Sequence, residues 1–487
     1  MELKNLLKWG QPIIQAIVSL LMLFLLVSSG LLPVKYLGIA VVLVLLFLLI
    51  SFLTAKSENT AARSIGLILA VIICIILIAA SVFLHQIMNA LNRVTGTETQ
   101  IDSIVVIVQD SDSAQAIGDT SGYRFGTFEG QDTDFLRQTI EEISSLNGDA
   151  ELSITPYESS LELANALLEG DIDAMVCNKA YIALLEDAVT DYSTKTRILY
   201  EKEFESKVHT EIERGEGTDS SFGKKISYTE DSYNILISGI DVSGPINTTS
   251  RSDVNIIMTV NPRTHNIQLT TTPRDYFVTI PGISGEKRDK LTHAGIYGVR
   301  SSMRTLELLY GIEIHDYIRI NFDSLVQLVD ALGGVDVNSE VEFDSGDNHF
   351  VKGINHLNGE QALTFSRVRY AFSDGDNQRG RNQMLVLTAI IDKLQSPALL
   401  KNPAGVLDVV SRSMQTSVSS SDISKVIAWQ LDNPKGWSIN RQSVRGTDDN
   451  QETFSMPGTD LYVMWPDEES VKNARDTIRK VMKEELP

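Results

Sequence analysis

Three uncharged apolar runs, Ile13 to Leu32, Tyr36 to Leu53 and Ile65 to Leu84, occupy most of the first hundred residues. A helix rises 1.5 Å per residue, so about 20 such residues cross a hydrocarbon core about 30 Å thick. A cleaved signal peptide would be a single short run with a small-residue cleavage site; here two further runs follow the first, as in a permanent anchor. Lys4 and Lys8 precede the first run and Lys56 and Arg63 separate the second from the third, whereas the first connection carries only Lys35. Basic residues stay on the cytoplasmic side. The expectation is a cytoplasmic tail over 1–12, three transmembrane helices within 13–89, and a large C-terminal ectodomain.

Charge narrows the partners of that ectodomain. Residues 1–97 carry six Lys or Arg against two Asp or Glu, a balance of +4 in a chain of −21, so residues 98–487 carry −25. Nucleic acid is excluded as a partner, because binding it needs a broad basic face that neutralises phosphates. The two cysteines, Cys74 in the third run and Cys177 far along the ectodomain, cannot form an intrachain disulfide.

Between about Glu201 and Lys225 the sequence turns charged, Gly/Ser-bearing and poor in apolar residues, which reads as a linker. On its N-terminal side, over 98–225, the runs Ile104 to Val108, Leu152 to Thr155 and Ala174 to Val176 alternate with helical patterns near Phe135 to Ile143, Leu161 to Leu168 and Tyr181 to Ala188. That pattern is a small α/β accessory domain. Over 227–487, Asn234 to Gly239, Val254 to Val260 and Ile267 to Thr272 read as buried strands. Phe322 to Leu332 reads as a helix ending at Gly333 and Gly334, and a further helix runs from near Arg379 to Leu394. The fold class expected is therefore α/β: three membrane helices, the accessory domain, and a larger domain with a mixed central sheet flanked by helices.

The candidate chemistry is anionic. Asp241 and Asp253 sit at strand ends, where two carboxylates and substrate oxygens would form a hard oxygen cage for magnesium, or where each would simply cap a turn. Pro273-Arg274-Asp275 follows the third strand; Arg274 either points at the same pocket or holds a surface turn. The stretch from Arg367 to Gln383 gathers four arginines in fifteen residues. Arg367 and Arg369 flank Val368 in what reads as a strand, so alternation puts both on one face. Arg379 and Gln383 are one helical turn apart, with Asp374 and Asp376 ahead of them. Arginines beside a helix N-terminus form a pyrophosphate cradle, or else solvated surface pairs. Phosphate-loop, HExxH and paired-cysteine metal patterns are absent.

Taken in order, NILISGID, RSD, TTPRDYFVTIPG, KLTHAG, IHDYIRINFDSLVQLVDALGGVDV, LNGEQALTFSRVR and DNQRGRNQ resemble the LytR-CpsA-Psr family of envelope proteins, over roughly 227–487. Three spans followed by an accessory domain look like its capsule-type, CpsA-like branch. The resemblance implies a phosphotransferase that takes a glycopolymer, capsular polysaccharide in this branch, from undecaprenyl pyrophosphate and joins it to peptidoglycan through a phosphodiester. Magnesium, or manganese in its place, would be held by Asp241 and Asp253. Arg251, Arg274, Arg367, Arg369, Arg379 and Gln383 would bind the pyrophosphate, with Asp275 or Asp376 accepting the proton. Partners would be the prenyl-linked glycan, peptidoglycan, membrane lipid and capsule assembly proteins, in a multi-pass membrane protein whose ectodomain faces the cell wall. Two other readings use the same chain: a membrane-bound regulator of envelope or capsule genes, and a prenyl-pyrophosphate pyrophosphatase. The pattern departs from the family in three places: Thr292 stands where an asparagine is usual, Asn382 where an arginine is expected, and Ser243 where many members carry arginine. Arg381, rotated about 100° from the expected place, is a bystander on this reading.

Overall fold

The computed structural model describes residues 2–95, 99–129, 133–207, 226–240, 245–369, 371–372, 375–395 and 403–484. Helices α1 (Glu2–Ser29), α2 (Val34–Lys56) and α3 (Thr60–Thr95) are long and apolar enough to cross a membrane, and they pack against one another. The first ends three residues short of the apolar run, because Gly30 takes a left-handed φ of 63°. Two side-chain hydrogen bonds link the helices of this bundle: Ser51 donates to Gln15, and Gln11 Nε2 donates to the Gly66 carbonyl at 3.0 Å. At about 1.5 Å per residue, α3 is about 54 Å long. It therefore overruns a hydrocarbon core and reaches the domains beyond.

The accessory region forms a five-stranded sheet. Its elements are β1 (Thr99–Gln109), β2 (Arg124–Phe128), α4 (Thr133–Leu146), β3 (Ser153–Tyr157), α5 (Ser160–Glu169), β4 (Ala174–Asn178), α6 (Ile182–Ala188), the single turn α7 (Tyr192–Lys195) and β5 (Thr196–Lys207). The strand order is β3-β2-β4-β1-β5, parallel on the β2 side and antiparallel around β1. Sequence composition places a linker from Glu201; the strand instead continues to Lys207. Alternation explains the charged composition of this edge strand. Tyr200, Lys202 and Phe204 face α4, where Phe204 stacks on Phe135 at 4.4 Å and Lys202 meets Glu142, while Glu201 on the other face meets Lys179.

The larger region is built on a six-stranded mixed sheet. Its central strands are β6 (Tyr233–Ile240), β7 (Ser252–Asn261) and β8 (Asn266–Thr271). Beyond them come β9 (Phe277–Val278), β10 (Asp289–Lys290), α8 (Val299–Tyr310), β11 (Asp316–Asn321), α9 (Phe322–Ala331), β12 (Val335–Ser339), β13 (Phe343–Ser345), β14 (Asn348–Phe350), β15 (Gly353–Leu357), α10 (Gly359–Arg367), α11 (Gly375–Leu394), α12 (Pro403–Ser413), β16 (Met414–Thr416), α13 (Ser420–Asp432), β17 (Ser438–Ser443), β18 (Gly446–Thr453), β19 (Met456–Pro466) and α14 (Glu468–Met482). The order is β16-β11-β6-β7-β8-β17, with β11 parallel to β6 and β17 parallel to β8. Both faces are covered, so every residue of β6 and β8 is buried. One face packs Leu236, Ile257 and Tyr317 under α8 and α14; the other packs Ile235, Ile256 and Leu269 under α11. Each fully buried aliphatic side chain contributes about 1.5–3 kcal/mol.

The regions meet along a polar seam. The backbone of Ile101 in β1 donates to Asn247 at 2.8 Å and accepts from Thr249 at 2.9 Å. Gln415 donates to the Thr99 carbonyl at 2.9 Å, while buried Arg319 donates to the Thr248 carbonyl at 2.8 Å and to Gln415 at 3.3 Å. Burial pulls the Arg319 guanidinium down to about 10, still charged at neutral pH. Arg319→Ala leaves the Thr248 carbonyl and the Gln415 side chain without their donor, and is expected to destabilise the protein by about 3 kcal/mol. Thermal melting in detergent checks this; an unchanged midpoint would remove the seam from the stability of the fold.

Candidate functional site

The site is built where β7 begins and β8 ends. Asp253, the second residue of β7, has a side chain only 9% exposed. Its Oδ1 accepts from Arg274 Nη1 at 3.0 Å and from the Thr292 hydroxyl at 2.9 Å. Burial raises this carboxyl, but the charges of Arg274 and Arg251 and the hydrogen bonds from Arg274 and Thr292 outweigh it, so its pKa lies below the ordinary value. Thr292 lacks the amide of an asparagine but supplies a polar contact through its hydroxyl.

Arg274 is set by the chain on either side of it. Pro273 restricts the backbone before it, the Thr292 amide donates to the Arg274 carbonyl at 2.8 Å, and the Leu291 amide donates to Tyr276 at 2.8 Å. Asp275, 3% exposed, holds the guanidinium from behind: Oδ2 lies 3.5 Å from Arg274 Nε and Oδ1 lies 3.2 Å from Lys290 Nζ. Both Asp275 oxygens are thus engaged by cations, which suits an anchor for Arg274. Spacing along the chain gives Lys290 and Thr292 of the KLTHAG segment no role. Only the pairing of β9 with β10, Lys290 opposite Phe277, brings them to Arg274 and Asp275.

The glycine of that segment has a structural reason. A Cβ on Gly295 would stand 2.5 Å from the Ser252 amide nitrogen and 2.6 Å from the Ser250 carbonyl oxygen. This close approach seats the 291–297 turn on the start of β7. At Gly380, a Cβ would come within 3.1 Å of Thr271, so the first turns of α11 lie directly against the end of β8. Arg379 is thereby brought to Arg274: Asp253, Arg274, Asn377, Arg379 and Gln383 line one cleft, floored by Thr271, Thr272 and Ser443.

The other arginines are placed differently from the sequence expectation. A capping box between Asn358 and Gln361 starts α10, which runs through Arg367. Arg367 and Arg369 are therefore not neighbours on a strand face; Arg367 is the last helical residue, its guanidinium 4.4 Å from the centre of the Phe322 ring. Both line a second depression, with Asp344, Ser345 and Thr364. Helix α11 starts at Gly375, ahead of the expected Arg379, which puts Asp376 in its first turn. Arg381 does not line the cleft and donates to Gln378 on its own helix, at 3.0 and 2.6 Å. Arg251 stands beside Asp253 but donates to Asp187 of the accessory region at 2.7 Å. The Asp241 position, Ser243 and Asp374 lie outside the described residues, as does the side chain of Asp376.

For a divalent cation, Asp253 offers one anionic hard oxygen kept ionised by its neighbours. Among the described residues, no group of three or more His, Cys, Asp or Glu converges on a metal position.

The LytR_cpsA_psr family profile matches residues 196–477, more than half of the chain. The chain belongs to the LytR-CpsA-Psr family. It is similar to the polyisoprenyl-teichoic acid–peptidoglycan teichoic acid transferase TagU of Bacillus cereus, 34% identical over 233 residues, or 48% of this chain and 73% of that one. It is also similar to TagU of Enterococcus faecalis, 32% identical over 275 residues, or 56% and 87%. The crystal structure of B. subtilis TagU superposes at a TM-score of 0.42 and 25% identity, covering 53% of this chain and all of that one. The LytR-CpsA-Psr match begins at Thr196, the first residue of β5 in the accessory sheet.

Two expectations follow. Gly295→Ala forces the start of β7 away from the 291–297 turn; far-ultraviolet circular dichroism should be retained while the protein is destabilised by about 1–3 kcal/mol, the scale of overpacking, read as a lowered melting midpoint. Because the folded pKa of Asp253 is depressed, its stabilisation is full above about pH 4 and is lost as pH falls through the lower folded value. The melting difference between the unmodified chain and Asp253→Asn should be constant from pH 5 to 8 and shrink below pH 4.

Proposed function

We propose that this chain is a membrane-anchored phosphotransferase that moves a polyisoprenyl-linked glycopolymer onto peptidoglycan. The observation that carries the reading is the convergence of Arg274 and Arg379 on a cleft beside ionised Asp253, with Gln383 one turn from Arg379. Transfer of a phosphoryl group requires in-line positioning and neutralisation of charge on the equatorial and leaving oxygens, which guanidiniums provide with little covalent work by the protein. Membership of the family and the transferase names of the TagU relatives support the reaction class.

Within this proposal the glycan is capsular polysaccharide, by the resemblance of three spans plus an accessory domain to the capsule-type branch. Asp253 with Asp241 would hold magnesium, which would supply further charge neutralisation at the phosphates. Arg251, Arg367 and Arg369 complete the pyrophosphate contacts, and the acceptor's proton passes to Asp376, since both oxygens of Asp275 are engaged by Arg274 and Lys290. The N-terminus is cytoplasmic and the ectodomain faces the wall. Lys35, at the N-terminal end of α2, pairs with Asp432 of α13 at 2.5 Å, which agrees with that end of α2 lying on the same side of the bilayer as the large domain.

Full-length protein with a prenyl-pyrophosphate glycan, magnesium and peptidoglycan oligomers should yield glycan joined to peptidoglycan; release of free phosphate alone would indicate hydrolysis instead. Arg274→Ala and Arg379→Ala should each lower kcat/KM by about a hundredfold, the scale of a lost charge-stabilising donor. EDTA should inactivate the protein, and activity that survives it would remove the metal. Normal pyrophosphate affinity in both Arg367→Ala and Arg369→Ala would confine the site to the first cleft.

A further inference from the structure

The accessory region touches the site at one charged contact. Arg251 lies two residues before Asp253, and its side chain is 13% exposed. Its Nη1 donates to Asp187 Oδ2 at 2.7 Å and to the Ala183 carbonyl at 3.2 Å, both on α6 of the accessory sheet. A guanidinium has five N–H donors in a rigid plane. Among the described residues the hydrogen bonds of Arg251 run through Nη1 alone, and its charge is near enough to Asp253 to lower that carboxyl's pKa.

Three independent contacts make this pairing part of a fixed interface. The segment that delivers Arg251 is bonded to β1 through Ile101, with Arg319 holding the Thr248 carbonyl between them. The accessory core is continuous with the catalytic side, since Leu163 and Leu184 pack in one cluster with Ile296 of the 291–297 turn and with Met456 and Leu461 of the β18–β19 hairpin. That same turn carries Thr292 to Asp253. Helix α6 is therefore held against the elements that build the cleft, and Asp187 meets Arg251 at a set position.

We propose that Asp187 is a positioning residue of the transfer site, supplied by the accessory region, which aims the free edge of Arg251 at the pyrophosphate of the prenyl-linked substrate. The inference rests on the functional reading above. It gives residues 99–207 a definite role at the cleft. Without α6, a long arginine side chain at the rim samples several rotamers and loses entropy each time it binds. The carboxylate restrains one end of the guanidinium and leaves the other for the ligand.

Calorimetry of the full-length chain in detergent with a C15 prenyl pyrophosphate tests this. Asp187→Asn should weaken binding about five- to tenfold, the scale of one charge-assisted contact, with an unchanged melting midpoint, and Asp187→Glu should recover most of the affinity. In an Arg251→Ala background, Asp187→Asn should have no further effect, since the two residues act as one unit. Unchanged or tighter binding by Asp187→Asn, or an equal loss in the Arg251→Ala background, overturns the positioning role while leaving the transferase reading intact. Failure of the unmodified chain to bind prenyl pyrophosphate overturns both.

Discussion

A carboxylate withdrawn from water persists as an anion only if cations and hydrogen-bond donors replace the solvent it lost, and the site of this protein is arranged around that requirement at Asp253. Arg274 and Thr292 contact the carboxylate directly, and the charge of Arg251 acts on it from two residues away in the chain. Each reaches Asp253 from a different part of the chain: the turn after β8, the 291–297 turn, and the approach to β7. Asp275 and Lys290 in turn steady Arg274. Removing the central anion would leave several cations facing one another, so the elements carrying them depend on it.

The same arrangement brings further donors to the site. Asp253 and Asp275 pair with Arg274, Asp187 pairs with Arg251, and Arg379 and Gln383 enter the cleft from α11. An anionic ligand would meet a pocket whose donors are already oriented, which is the favourable condition for charge stabilisation, because little reorganisation remains to be done when the ligand arrives. The small residues at 295 and 380 belong to this arrangement: each allows a backbone or helix to come closer than a side chain would permit, and each closeness sets one donor's position.

Membrane anchoring and the accessory sheet bear on the same place. Helix α3 extends beyond a bilayer's thickness and packs on α12 and α13, so the large domain is seated on the anchor through direct contacts as well as through the chain. The seam of Arg319, Thr248 and Ile101 then couples the strand that continues from α3 to the segment leading into Arg251 and Asp253. Arg319 is costly to bury, and its two hydrogen-bond partners come from separate segments, which makes the junction specific.

Much of this was legible in the residues. Uncharged runs report membrane-length helices because hydrocarbon admits little else, and the apolar and β-branched runs within β6 and β7 report a sheet covered on both faces. Asp253, Arg274, Arg379 and Gln383 could be singled out as chemistry-bearing types at strand and helix ends. Local pattern misled where two periodicities compete: Arg367-Val368-Arg369 alternates like a strand, yet the capping box at Asn358 and Gln361 propagates a helix to Arg367. Edge-strand β5 was likewise hidden by its charge. What the sequence alone determined was the class of the elements and the set of available charges, since both follow from side-chain chemistry and spacing. Only the tertiary structure decided which charges meet, bringing Lys290, Thr292 and Asp187 beside residues far from them in the chain, because contact between distant segments depends on strand register and close backbone approach that no local pattern encodes.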